Sequence, residues 1–294
     1  MLPYKDENPT DLTPVITLGI IVVNVLAWLF VQGAGAPEAL ARSVCHLGLI
    51  PGEVLHTVPP GTAVPLGEGL RCVLTADANW WTVVTSMFMH GGWLHLIGNM
   101  WFLWVFGNNI EDSMGHTRFV VFYLLSGVAA AATQMLVDPG SRIPMVGASG
   151  AISGVMGAYI LLYPRVRVHT LITLGFFLTT VTLPAYVILG YWFVLQLLFG
   201  TVGALSGALD AFVRGDPKLG REICRRDDSV DALHHSVFRI LLTHMMEDPH
   251  IIGAAMDLFL VSRNLERVAD LATNIAEDVV FVVEGKTIKH HAEG

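Results

Sequence analysis

The chain has 294 residues, 53% of them hydrophobic and 14% charged, with a mean hydropathy of +0.58 and a net charge of −8. This balance lies on the membrane side of a soluble average, and its negative sign argues against a nucleic-acid partner. The charge is also uneven. Residues 1–209 carry 7 Lys/Arg and 10 Asp/Glu and the last 85 carry 10 and 15, so a membrane part is followed by a soluble one. Three cysteines exclude a disulfide scaffold. Cys45 and Cys72 fall in one predicted loop and can pair if that loop faces an oxidising compartment, while Cys224 lies in the soluble part.

In chain order, a short polar leader (Lys5, Asp6, Glu7, Asp11) precedes an apolar run from about Thr13 to Val31, long enough to span a bilayer at roughly 20 residues per crossing. It is read as a span and not a cleaved signal, because the leader is acidic and no small-x-small site follows. A long Gly/Pro-rich loop ends at Trp80-Trp81, a pair typical of the membrane interface. A second apolar helix runs from His90-Gly91-Gly92-Trp93 to Gly107, and a third from about Phe119 to Leu136. The Ser149 helix ends near Tyr163-Pro164, and a mixed apolar segment, 168–183, leads to a fifth helix from Pro184 to about Gly200.

Two stretches carry chemistry. Gly147-Ala148-Ser149-Gly150 runs into Ala151-Ile152-Ser153-Gly154 and places one hydroxyl at the mouth of a short apolar helix. A polar group at membrane depth is costly unless it is used, although the same Gly/Ala/Ser composition also lets two membrane helices approach closely. His95 and Asn99, spaced i, i+4, put an imidazole and a carboxamide on one helical face, where both can donate to a developing oxyanion or simply bond neighbouring helices.

The pattern Ser86-Met-Phe-Met-His90-Gly-Gly-Trp-Leu-His95-Leu-Ile-Gly-Asn99 through Gly107-Asn-Asn-Ile-Glu111-Asp, followed by Gly147-Ala-Ser149-Gly150, resembles the rhomboid intramembrane serine proteases over about residues 1–207. The resemblance implies that Ser149 is the nucleophile and that its backbone N–H forms the oxyanion hole with His95 and Asn99. Gly147 then supplies the strained loop before the serine, and Glu111 matches the acid of a loop lying partly in the membrane. It also implies a multi-pass protein of the bacterial inner membrane that cuts membrane-spanning segments of other proteins without a cofactor.

The family's base is a histidine on a sixth helix, and a serine hydroxyl is a weak nucleophile without one. Here the fifth helix runs through Gln196 to Ser206-Gly207 and no such helix follows; after His169 the next histidine is His234. His169 is expected beyond the far end of the serine helix. The chain therefore offers a nucleophile without a base histidine.

Beyond 207, Val230, Leu233, Val237 and Ile240, and then Leu258, Val261, Leu265, Val268, Ala272, Ile275, Val279 and Val282, recur at helical spacing, predicting two antiparallel helices with one apolar seam each and a turn at Asp248-Pro249. Leu241-Leu-Thr-His-Met-Met-Glu247-Asp248-Pro249 and Arg263-Asn-Leu-Glu266-Arg-Val-Ala-Asp270 resemble the end of a PhoU-type phosphate-uptake regulator over 208–294. The resemblance implies that Glu266 with Asp270, and Asp227 with Asp231, hold a divalent or iron-type metal. For the second pair, helix capping by acids is the competing reading, and Leu271 stands where the family has His. Only a stub, 208–213, represents the regulator's preceding helix, so the tail is expected to need partner helices or a second copy.

The expected fold is all-α: a polytopic membrane bundle of about five spans (1–207) followed by a soluble, incomplete antiparallel helical bundle (208–294). Five spans from a cytoplasmic N-terminus place the tail outside, whereas Arg214, Lys218, Arg221, Arg225 and Arg226 favour the inside. Either one segment, within 168–200, does not span, or, as the favoured account, the chain is a head-to-tail join of two truncated proteins, by gene fusion or by an error in assembling the sequence. The alternative function is a membrane-anchored phosphate-signalling module.

Overall fold

The computed structural model describes residues 2–67, 70–77, 79–174, 177–247 and 252–288. Helices dominate, and the chain divides into two units, Met1–Ile188 and Leu189–Gly294.

The first unit opens with strand β1 (Leu2–Asp6) and helix α1 (Val15–Leu26), which continues as a π-helical turn to Val31. Helix α2 (Pro37–Leu47), the single turn α3 (Pro51–Val54) and the hairpin β2 (Ala63–Gly67) and β3 (Leu70–Val73) fill the long loop. Cys45 on α2 and Cys72 on β3 are joined in a disulfide, so the conditional pairing is realised. A short α4 (Thr82–Thr85) precedes the long helices α5 (Trp93–Met114) and α6 (His116–Val137), and α7 (Ser149–Leu162) follows. Gly115, with φ +77°, is the one residue between α5 and α6, a conformation that favours glycine. The segment read from sequence as mixed apolar is instead a hairpin, β4 (Arg167–Leu174) and β5 (Phe177–Pro184), joined by β1 in the order β1-β4-β5. Its Thr-rich, β-branched composition suits a strand better than a helix.

Among the described residues α6 alone is long and apolar enough to cross a membrane by length and composition; Val15–Val31 and Ser149–Leu162 are shorter apolar helices.

Small residues set the helix spacing. A Cβ at Gly150 would lie 2.6 Å from that of Ala130, and one at Gly154 would lie 2.3 Å from Ser126 Oγ. Both pairs are spaced i, i+4, so α6 and α7 meet along a small-residue stripe. The start of α1 is held from α5: the buried Glu111 carboxylate accepts the N–H groups of Ile16 (2.9 Å) and Thr17 (2.8 Å) and the Thr17 hydroxyl (2.7 Å). These are helix-end donors that have no intrahelical acceptor. Glu111 thus lies within α5 and not in a loop.

The loops sort into two ends. At one, Leu49 and Met145 exchange backbone bonds (3.0 and 2.7 Å) and Gly52 N–H donates to Ser141 O (2.8 Å). At the other, Asp6 accepts from Asn109 Nδ2 and Tyr159 Oη, both at 2.6 Å, tying β1 to α5 and α7.

The second unit corrects the expectation of an incomplete bundle. Helix α8 (Ala185–Arg214) runs on without a break, and its Ala204, Ala208 and Ala211 pack with Ile223 and Cys224 of α9 (Pro217–Glu247) and Ala272, Ala276 and Val279 of α10 (Ile252–Glu284). The membrane-like helix is the missing third helix. Between α8 and α9, Gly215 has φ +59° and the Asp216 carboxylate accepts the N–H groups of Lys218 (2.9 Å) and Leu219 (3.2 Å), capping α9 ahead of Pro217. Arg221 and Glu284 form a two-pronged ion pair (2.9 and 2.6 Å) across α9 and α10. The seam of α10 is wider than the predicted one: Ala272 and Val279 are buried as expected and Leu258, Leu265 and Ile275 pack beside the core, whereas Val261, Val268 and Val282 are exposed and Ser262, Ala269 and Ala276 are fully buried. Two neighbours demand a wider buried face than one, and close approach selects alanine. The predicted turn at Asp248-Pro249 lies outside the described residues.

Candidate functional site

The hydroxyl site is built from the start of α7 and the start of α5. Ser149 is the first residue of α7, half-buried, so its N–H belongs to the helix-end donors. Gly147 has φ +125°, and its N–H donates to Ser86 O (2.9 Å). A Cβ added at Gly147 would lie 2.7 Å from His95 Nε2 and 3.6 Å from Ser149 Oγ. The His95 ring, the Gly147 backbone and the serine hydroxyl therefore share one small volume.

Hydrogen bonding assigns the roles of the ring nitrogens. Gly91 N–H donates to His95 Nδ1 (3.3 Å), so Nδ1 is the acceptor and Nε2 carries the proton. The nitrogen facing Gly147 is a donor, suited to an oxyanion and not to taking a proton from Ser149. Asn99 is buried on the same face of α5, but its Nδ2 donates to His95 O (3.0 Å), one turn back on its own helix. In this state His95 reaches the serine segment and the Asn99 amide is turned along α5.

His90 has no role assigned from sequence. Its ring is fully buried, edge-on to His95 with centroids 5.2 Å apart, and its backbone is clamped in both directions by Gln32 (2.8 and 2.7 Å). Neither ring nitrogen has a hydrogen-bond partner among the described residues. The signal for this clamp was a glutamine ending an otherwise apolar run. His169 sits on β4, beyond the far end of α7, which at 14 residues is about 21 Å long. It pairs there with Glu7 (3.2 Å) and Thr182 (3.0 Å).

In the second unit, Asp227 and Asp231 on α9 and Asp270 on α10 bring carboxylate oxygens within 4.8 Å of one another. Glu266, one turn before Asp270, is not part of this group. Three carboxylates meeting across two helices form a donor set suited to a hard or borderline cation.

The Rhomboid domain family matches residues 77–215, and the PhoU domain family matches residues 194–279. The chain joins a rhomboid-like segment to a PhoU-like one. The two matches overlap at 194–215, the part of α8 that enters the three-helix bundle. The PhoU-like segment is 44% identical over 90 residues to a phosphate-specific transport system accessory protein PhoU homolog of Zymomonas mobilis, covering 31% of this chain and 38% of that protein. A Caulobacter vibrioides homolog is 42% identical over 86 residues, 29% of this chain and 37% of that protein. The Rhomboid protease GluP of Bacillus subtilis is 32% identical over 150 residues, 50% of this chain and 28% of that protein. The chain thus spans less than two fifths of the length of these relatives. No solved structure matches.

Proposed function

We propose that the rhomboid-like segment is a multi-pass intramembrane serine endopeptidase domain of the bacterial inner membrane, whose Ser149 has no base histidine beside it among the described residues. It carries the PhoU-like bundle of α8, α9 and α10 as a metal-binding signalling module. Its substrates are membrane-spanning segments of other proteins. The observation that carries this reading is the His95 ring beside Gly147 and Ser149 with Nε2 as the proton donor.

In the reaction, Ser149 Oγ attacks the scissile carbonyl and the oxyanion is held by the Ser149 N–H and the His95 Nε2–H, with Asn99 joining once its amide turns from the helix backbone. The serine proton needs an acceptor. With His95 Nε2 committed as donor, the His90 ring enclosed edge-on to His95, and His169 bound on the sheet beyond the far end of α7, none of these three is placed to take the serine proton, and the resting serine is unactivated. The test is fluorophosphonate labelling of the full chain in bilayers, with and without added imidazole. Wild type stays at the level of Ser149→Ala and gains label when imidazole is supplied; strong labelling without imidazole overturns the proposal.

Metal binding in the tail is the second reading, carried by Asp227, Asp231 and Asp270. A bound divalent or iron-type ion would supply concentrated positive charge between α9 and α10. The carboxylates would hold it and lose their mutual repulsion. Metal analysis of the full chain should show loss with Asp231→Asn or Asp270→Asn and a smaller change with Glu266→Gln; unchanged metal content in the first two refutes it.

The Cys45–Cys72 disulfide supports an oxidising compartment, the periplasmic side in this reading, for the loop containing α2 and β3.

A further inference from the structure

The proton on His95 Nε2 is set from outside α5. Gln32 lies where the π-helical turn after α1 ends, is fully buried, and binds His90 in two directions: its Oε1 accepts the His90 N–H (2.8 Å) and its Nε2 donates to the His90 carbonyl (2.7 Å). The next three residues, Gly33 (φ +59°), Ala34 (φ +53°) and Gly35 (φ +88°), all lie in the left-handed region, which strains an alanine. This turn is packed in place. A Cβ at Gly35 would lie 3.0 Å from the buried Trp28 ring, and that ring meets Trp93, the first residue of α5, edge-on with centroids 5.4 Å apart. The carboxamide therefore sits where the end of the first apolar helix is fixed to the start of α5.

The His90 carbonyl and the Gly91 N–H belong to one planar, trans peptide group, so their bonds leave it in opposite directions. The carbonyl turns to Gln32 Nε2, and the N–H turns to His95 Nδ1, 3.3 Å away. Holding the first fixes the direction of the second. Donation into the carbonyl also polarises the amide and makes its N–H the stronger donor. Nδ1 is thereby the accepting nitrogen, and the proton stays on Nε2, which faces Gly147 and Ser149. Because Gln32 and His90 are both fully enclosed, loss of the Gln32 donor would leave a buried carbonyl without its partner.

We propose that Gln32 is a positioning residue of the serine site: through the 90–91 peptide it selects the His95 tautomer that keeps a proton on Nε2. The proposal rests on the reading of His95 as the oxyanion donor. The test is solid-state nitrogen NMR of the full chain in bilayers at about pH 8, above the usual imidazole pKa. Histidine is labelled on both ring nitrogens, and the His95 signals are identified by their loss in His95→Gln. Gln32→Met, close in size and without donor or acceptor, should lower the ratio of Nε2–H to Nδ1–H tautomers about three- to tenfold, the population change of one ordinary hydrogen bond. Glu111→Ala is the control, because it loosens the start of α1 and leaves the relay alone, so it keeps the wild-type ratio. An unchanged ratio in Gln32→Met overturns the proposal, and so does an equal shift in Glu111→Ala, which means general loosening. A wild-type His95 protonated on Nδ1 instead defeats the oxyanion reading itself, and the proposal with it. Should Gln32→Met not fold, Gln32→Glu carries the same expectation, since its carboxylate keeps the size and the acceptor for the His90 N–H and lacks only the donor.

Discussion

Replacing Gly147 by alanine tests the geometry at the serine site without touching the serine. The substitution forces a side chain onto a backbone with φ +125° and sets its Cβ 2.7 Å from His95 Nε2. The backbone strain costs about 1–3 kcal/mol, and pushing the imidazole off its rotamer adds about 0.5–1.5 kcal/mol. For a unit the size of Met1–Ile188, a total of about 2–4 kcal/mol lowers Tm by about 5–12 °C. The assay is thermal unfolding of the full chain in nanodiscs, with Gly98→Ala as the control. That change sits within α5, meets nothing within 4 Å, and should stabilise by about 0.5–1 kcal/mol as a helix glycine does. A double-mutant cycle with His95→Ala separates strain from collision, because removing the ring relieves only the second part and yields a coupling of at least about 0.5 kcal/mol. The reasoning fails if Gly147→Ala unfolds where wild type does, or if removing the His95 ring leaves its cost untouched.

Glu111→Ala removes the acceptor of three hydrogen bonds at the start of α1 and should cost about 2–4 kcal/mol, read as a lowered Tm and faster amide exchange at Ile16 and Thr17. Reduction of Cys45–Cys72, or the paired change to serine, releases a crosslink spanning 27 residues and should destabilise the first unit by about 3–4 kcal/mol; equal unfolding with and without reductant would count against the bond.

The serine helix, the His95/Asn99 face and the acidic tail were legible in the sequence because each depends on local spacing. Gly150 and Gly154 also show that the two readings of the small-residue stretch coexist: those glycines pack on Ala130 and Ser126, while Gly147 packs on His95. What escaped depended on partners distant in sequence. Nothing near Glu111 announces that it caps α1, 94 and 95 residues away. The third helix of the bundle was hidden by composition, since an apolar helix rich in Ala and Gly reads as a membrane span until Ile223 and Ala272 are seen against it. The same blind spot blurred one edge of the α10 seam: valines at 261 and 268 looked like the core and are exposed, whereas alanines at 269 and 276, which cost the least space at a tight crossing, join Ala272 and Val279 in it. Asp270 was paired with Glu266 along its own helix, whereas in the fold its neighbours are Asp227 and Asp231 across the gap.

The Cys45–Cys72 bond acts as a chemical compass for the whole first unit. The loop it closes is hydrogen-bonded to the 138–147 segment that enters the Ser149 helix, whereas Asp6, Glu111 and the hairpin carrying His169 gather at the opposite end. One redox measurement on two sulfur atoms therefore orients the serine, both long helices and the strand from which α8 departs.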